Sequence, residues 1–267
     1  MIFNMKSNPA TDFLELASEQ RLEIIKHLTK QRERLTNIAK LVGASAPEIH
    51  RNLDRLIQSK IIKKDSDGFF TLTTVGKILT TQIPLLTFLS ENKKYFETHS
   101  IENIPGQFIQ RLGSLANSTL ISSHVKILDK WNEIHSNSSD YIFNLLVEVP
   151  YSNDLFSVIE DRLNNKVKIK SIFSENANVS KERKFVLNKY QIKKYISDGR
   201  IERKMGSFSI VLLLNEKEAL LMFPSLNGET DMSNGFYSND DDFHKWCIDY
   251  FRQCWDNSYD FSETKLH

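Results

Sequence analysis

Apolar side chains recur along residues 11–30 at Phe13, Leu14, Leu16, Ala17, Leu22, Ile25 and Leu28, the spacing of a helix with one buried face. Ser18 interrupts or caps this stretch, and Glu19 opens a second turn. The segment LTNIAKLVG is a shorter helix with Leu35, Ile38, Ala39 and Val42 inward, and Gly43 stands where a helix ends. Ser45 then caps SAPEIHRNLDRLIQSK, whose Pro47 falls in the first turn, where a missing N–H costs little. The buried stripe of that helix is Ile49, Leu53, Leu56 and Ile57, which leaves Ala46, Pro47, His50, Arg51, Asp54, Arg55 and Gln58 facing out. At Ile61 the period changes. Ile61–Lys64 and Phe69–Leu72 read as two strands joined by a turn at Asp67–Gly68, and a further helix opens at Thr74.

Helix, helix, turn, helix and hairpin in this order make a winged helix-turn-helix, mostly α with a β-hairpin wing. Its third helix has the dimensions to enter a DNA major groove, first turn nearest the bases. Lys and Arg give such binding its sequence-independent electrostatics, whereas base discrimination belongs to that first turn. The expected DNA-binding residues are therefore Ser45, Ala46, Pro47, His50, Arg51, Arg55, Lys63 and Lys64. Ser45 and His50 are the candidates for base edges, and Arg51 is either bidentate to guanine or clamped on phosphate. The wing tip Asp65-Ser66-Asp67 is acidic and would be repelled by phosphates, so Lys63 and Lys64 would reach the backbone from the base of the wing.

Residues 82–117 read as a connector. Within QIPLLTFLSENKKYFE the apolar spacing of Ile83, Leu86, Leu89 and Phe96 predicts a helix, which either pairs with its twin in a homodimer or packs on its own C-terminal domain. Palindromic DNA sites favour the dimer. From 118 to 267, strands and helices alternate: STLIS, a helix from about Val125 to His135, YIFNLLVEV, NDLFSVIEDRLNN, VKIKSIF, a helix over 181–197, IERKM, the pair FSIVLLL and EALLMF, and the amphipathic helix DDDFHKWCIDYFRQCWD. The long apolar strands predict an α/β domain with a mixed, mostly parallel sheet. Ligands of such sheets bind beyond the carboxyl ends of the strands. The loops PYSND and SENAN are thus an expected effector site, with Tyr151, Asn153, Ser174, Glu175 and Asn176 able to hydrogen-bond a small polar metabolite.

Charge refines the division. The chain of 267 residues has a net charge of +1, which names no partner. Residues 1–81, however, hold 13 Lys/Arg against 9 Asp/Glu, and the remaining 22 and 25 leave the rest acidic. The longest apolar run, IVLLL, is far short of the roughly 20 residues that span a bilayer, and MIFNMKSNPA does not read as a signal peptide. A cytoplasmic chain with no membrane partner is expected. Cys247 and Cys254, seven apart in a helical pattern, lie roughly 10 Å apart along the axis and cannot close on one another; they read as buried free thiols. Asp240, Asp241 and Asp242 suit the positive end of a helix dipole better than a metal.

The words SEQRLEIIKHL, LTNIAKLVGASAPEIHRNLDRLIQSKIIKK and GFFTLTTVGKIL resemble the ArsR-like winged-helix regulators. SIENIPGQFIQRLG and FHKWCIDYFRQCW look like the archaeal regulators of methanogenesis and filament formation, which join such a reader to an effector domain. The second half is also similar in layout to the phospholipase D-like domain of archaeal sugar-sensing regulators. Phosphodiesterases of the phospholipase D kind use H-x-K-x4-D, with His as nucleophile and Lys as charge clamp; here the three positions hold Phe208, Ile210 and Asn215. His124-Val125-Lys126 repeats the first spacing, but Trp131 stands where the acid belongs. No catalytic residue, metal or cofactor is expected. The resulting expectation is a homodimeric regulator binding double-stranded DNA through residues 1–81, with an effector or assembly domain over 118–267. A protein-assembly module with a repurposed winged helix is the alternative, ahead of a phosphodiesterase.

Overall fold

The computed structural model describes residues 9–148, 153–178 and 183–266. Its contacts divide the chain into two units, Met1–Leu86 and Thr87–His267.

The first unit opens with α1 (Pro9–Leu16) and α2 (Glu19–Leu28), separated at Ala17-Ser18. The two non-helical residues re-phase the apolar pattern. Leu16 and Glu15 turn inward, while Phe13 (65% exposed) and Leu14 (59%) do not join the core as the unbroken periodicity predicts. A two-residue strand, β1 (Glu33–Arg34), leads into α3 (Leu35–Val42), which Gly43 ends in the left-handed conformation at φ 67°. After three residues α4 (Ala46–Gln58) begins, and Ile49, Leu53 and Leu56, spaced four and three apart, fill the core against Ile24, Ile25, Leu28 and Ile38. The strands β2 (Ile62–Lys64) and β3 (Phe69–Leu72) form the expected hairpin, and β1 adds to its other side, giving the order β1-β3-β2. Next comes α5 (Thr74–Thr80). Its Gly76 packs so closely that a Cβ there would meet the Ile61 carbonyl oxygen at 2.1 Å. Only glycine fits.

The unit boundary falls within α6 (Ile83–Glu91), and a second short helix, α7 (Lys93–Phe96), follows instead of a continuation through Phe96. The segment expected to be a connector is largely integral to the second unit. There Phe88 packs on Phe96 and Phe236, Phe108 of α8 (Gly106–Ile109) is buried, and Leu112 and Leu115 of a following 3₁₀ turn are buried too.

The remaining elements are β4 (Thr119–Ser122), α9 (His124–Asn137), β5 (Tyr141–Glu148), α10 (Asn153–Asn164), β6 (Lys168–Asn178), α11 (Arg183–Lys189), α12 (Ile192–Ser197), β7 (Ile201–Gly206), β8 (Val211–Asn215), β9 (Ala219–Met222), β10 (Asn234–Ser238), α13 (Asp241–Asp256) and β11 (Tyr259–Asp260). They build one sheet in the order β11-β7-β6-β5-β8-β9-β10-β4. Only β5–β6 and β6–β7 are parallel among its seven pairings, so the expectation of a mostly parallel sheet is corrected. The reason is connection length. The helix α10 carries the chain across to a parallel neighbour, as do α11 and α12, whereas the short turn at Glu216–Lys217 can only join antiparallel strands. Every residue of β8 and β9 is buried, because helices cover both faces. Val211, Leu213, Leu220 and Met222 meet Ile127, Trp131 and Ile134 of α9, while Leu128 is only half-buried. On the other face Phe143 stacks on Phe251 of α13 at 4.6 Å. The expected helix over 181–197 is broken at Gln191, which is left-handed at φ 49°.

His135 is a wholly buried base on the apolar side. Its Nδ1 lies 2.8 Å from the Trp131 carbonyl and must donate to it. Burial pushes the imidazole from 6.5 down to about 4. A base with a lowered folded-state pKa adds stability that is complete above its unfolded value and lost as acid protonates it. Stability should therefore fall by about 3 kcal/mol between pH 6.5 and 4 through this group. In a His135→Gln variant that component should vanish, leaving a flatter profile in denaturant unfolding measured across that range.

Candidate nucleic-acid interface

The outward side of α4 is set by how its inward side is used. A capping box joins Ser45 to Glu48: the Ser45 N–H (2.9 Å) and hydroxyl (2.8 Å) donate to the Glu48 carboxylate, and the Ser45 side chain faces the Glu48 backbone N–H in return. Those bonds hold Glu48 below the usual carboxylate range. Ala46, Pro47, His50 and Arg51 are exposed along the first turns, as are Asp54 and Arg55 further on. His50 is not unattached, since its Nδ1 lies 2.8 Å from the Asp54 carboxylate one turn ahead. Arg51 has no hydrogen bond or ion pair among the described residues.

Arg55 differs from that expectation. Its guanidinium, 53% exposed at the side chain, donates to the carboxylate of Glu15, which is only 7% exposed, at 2.8 Å. The same carboxylate lies 2.9 Å from the Arg21 guanidinium. Arg21 is buried and also donates to the carbonyls of Leu14 (2.9 Å) and Glu15 (3.1 Å). Removal from water lowers its pKa despite the carboxylate beside it. Arg55 thus joins α1 to α4, and much of its charge is spent inside the unit.

The hairpin presents a second group of cations. Lys63 and Lys64 are exposed on β2, with the Lys64 ammonium 5.5 Å from the Phe70 ring. Arg32 and Arg34, overlooked in the sequence, both lie over the Phe69 ring, at 4.5 and 4.7 Å. The signal was the short QRER run, where buried Glu33 alternates with exposed arginines in strand fashion. The acidic tip is partly neutralised by its own chain. Asp65 accepts the Phe69 and Asp67 N–H groups, which hold its pKa down, and pairs with Arg32 at 3.3 Å.

The expected effector residues are less concentrated. Tyr151 lies outside the described residues, and Asn153 and Asn176 are placed only as backbone, opening α10 and within β6. Ser174 is buried, and exposed Glu175 accepts the Tyr259 hydroxyl at 2.9 Å. Residues 174–178, expected as a loop, continue β6, because β5 and β7 supply partners that far: Ser174 faces Gly206 and Asn178 faces Glu148.

At the phosphodiesterase positions, Phe208 is half-buried, Ile210 is buried, and Asn215 closes the β8–β9 turn by accepting the Lys217 and Glu218 N–H groups. Among the described residues no group of three or more His, Cys, Asp or Glu is placed to hold a metal. The Asp240 carboxylate caps α13 by accepting the Asp242 and Phe243 N–H groups. Cys247 is buried and Cys254 half-buried, both free, with burial raising both thiols. No helix among the described residues is long and apolar enough to cross a membrane.

No protein-family model and no curated protein sequence matches the chain. Among solved structures it is similar to TrmBL2, an archaeal chromatin protein described as showing a novel mode of DNA binding, at 13% identity over 96% of this chain and 100% of that one, with a TM-score of 0.41. It is also similar to Nuc, a phospholipase D family member from Salmonella typhimurium (13%, 55% and 99%, 0.38). A third is polyphosphate kinase from Porphyromonas gingivalis (16%, 58% and 28%, 0.36). At such TM-scores these likenesses do not bear on function.

Removing the charge of Glu15 would leave Arg21 buried without its counter-ion, a change that costs about 3 kcal/mol or more. A Glu15→Gln variant should unfold at correspondingly lower urea concentration. A midpoint equal to the parent's would show that the carboxylate does not hold the three helices together.

Proposed function

We propose that the first unit is a winged helix-turn-helix that binds double-stranded DNA, with α4 as the recognition helix in the major groove. The observation that carries this reading is the outward face of α4, where Ala46, Pro47, His50 and Arg51 stand exposed while Ile49, Leu53 and Leu56 are consumed by the core. Lys63 and Lys64 on the hairpin, with Arg34 over Phe69, supply cations for the phosphates on either side. Ser45 must exchange its bond to Glu48 before it can read a base, so His50 and Arg51 are the readers in this proposal. The second unit is proposed to be a non-catalytic effector domain, the whole acting in the cytoplasm as a transcription regulator of the ArsR-like archaeal type. A ligand there would change DNA affinity by favouring one arrangement of the reader.

Two copies are proposed to act on a two-fold DNA site. Val75, Ile78 and Leu86, all more than half exposed on α5 and α6, are apolar side chains that could join them. Sedimentation at micromolar concentration should show a dimer, weakened by Ile78→Glu with Leu86→Glu; a monomer throughout would end this part of the reading.

The second reading is protein assembly through the same face. It is favoured by the acids set among the cations, Asp54 beside His50 and Asp67 at the wing tip. Anisotropy of a labelled random-sequence duplex, titrated with the full chain across a range of salt, separates the two. Under the DNA reading, binding weakens steeply with salt. Replacing Arg51, Lys63 and Lys64 together by Ala should then flatten the log–log salt slope by roughly one unit per cation. Absence of salt-dependent binding, or a slope untouched by the triple variant, would favour assembly.

A further inference from the structure

A polar row crosses an otherwise apolar sheet face. Strands β5, β6 and β7 run side by side, and their register sets Asn144 opposite Ser171 and Ser171 opposite Arg203. Two residues to either side along each strand stand Ile142 and Leu146, Ile169 and Phe173, Ile201 and Met205, all within the buried apolar cluster. The Asn144 amide donates to the Ser171 hydroxyl at 3.2 Å. Arg203, at the far end of the row, meets the C-terminal segment instead. Its guanidinium lies 3.4 Å from the Glu263 carboxylate and 4.0 Å from the Phe261 ring. An arginine so placed lays its stem on apolar surface and keeps its head towards water.

Beside Arg203 opens a cleft of about 460 Å³, bounded by Leu187 of α11, by Ile192, Lys193 and Ile196 of α12, and by Glu263. A cavity of about 150 Å³ already holds benzene, and small-molecule sites begin at about 300 Å³, so this space is of ligand size. Ile192 and Ile196 stand one turn apart on the same side of α12 and, with Leu187, make the apolar wall. Leu187, Ile192 and Arg203 also border a smaller recess of about 100 Å³, lined in turn by Phe156, Ile159 and Ile201. Apolar surface therefore continues inward from the cleft. The charges at the cleft do not cancel. Among its lining side chains two cations stand against one acid. Glu263 pairs with Arg203, whereas Lys193 is exposed and has no ion pair or hydrogen bond among the described residues. An elongated apolar wall ending in one unmatched cation defines one kind of guest.

We propose that this cleft binds an amphipathic monoanion, an aliphatic carboxylate whose chain lies along Leu187, Ile192 and Ile196 and whose head lies by Lys193 and Arg203. The site is formed wholly within the second unit. It gives the effector reading a ligand class and makes no use of the DNA-binding one. Its test is calorimetric titration of the full chain, without DNA and at neutral pH, with octanoate and with octylammonium, which carry opposite charges on chains of equal length. Octanoate should bind saturably and roughly ten-fold tighter, the ratio expected of one charge-assisted hydrogen bond. Lys193→Glu, at an exposed position, sets two acids against one cation and should reverse the preference. Ile196→Trp should weaken both ligands by filling the cleft. Should that variant fail to fold, the charge reversal at Lys193 decides. Octanoate binding no tighter than octylammonium, saturable binding of neither, or a ratio that Lys193→Glu leaves unchanged would overturn the proposal. If octanoate binds as stated yet leaves duplex affinity unchanged, the site stands and the effector reading falls. Failure of duplex binding, measured separately, leaves the site untouched.

Discussion

One nearly buried carboxylate serves two guanidiniums in the first unit, and this shared charge governs what the rest of the unit can offer. Glu15 needs Arg21 because an unpaired charge cannot remain out of water, and Arg21 needs Glu15 for the same reason. Arg55 joins them from α4 and fixes that helix against α1. The face of α4 is consequently divided by electrostatics as well as by hydrophobic spacing. Towards its C-terminal half the cation is tied inward, while in its first turns His50 and Arg51 remain at the surface. In the proposed DNA-binding reading such a surface would have its affinity and its selectivity in different places: the cations of the hairpin would attract any polyanion, and the first turns of α4 would discriminate.

How far this could be read from sequence depended on whether a signal was local. The cap at Ser45, the helix end at Gly43 and the stripe Ile49, Leu53, Leu56 are local and came through directly. The partner of Arg55 did not, because forty residues separate it from Glu15 and no periodicity links an acid in one short helix to a base in another. Phe13 and Leu14 misled for a related reason. A two-residue break is small in sequence but rotates the following helix relative to the preceding one, so an apolar pattern continuous on paper ends on two faces.

In the second unit the strands were legible and their directions were not. A run such as Val211–Leu214 is apolar throughout because both faces of the sheet are covered, and that is as true of a buried antiparallel pair as of a parallel one. Connection length, not hydrophobicity, carried the information. The polar row was also visible, as the single Asn in YIFNLLVEV and the Ser in VKIKSIF, yet only the register shows that they meet.

The placement of that row has a kinetic consequence. A pair such as β8 and β9, joined by a two-residue turn, forms from chain that is already near itself, whereas β5, β6 and β7 must wait for helical crossovers to bring distant segments alongside. Asn144, Ser171 and Arg203 belong one to each of those three strands. Their alignment is thus complete only when both crossovers are in place, so a slip of register in either one would leave a polar side chain facing apolar neighbours.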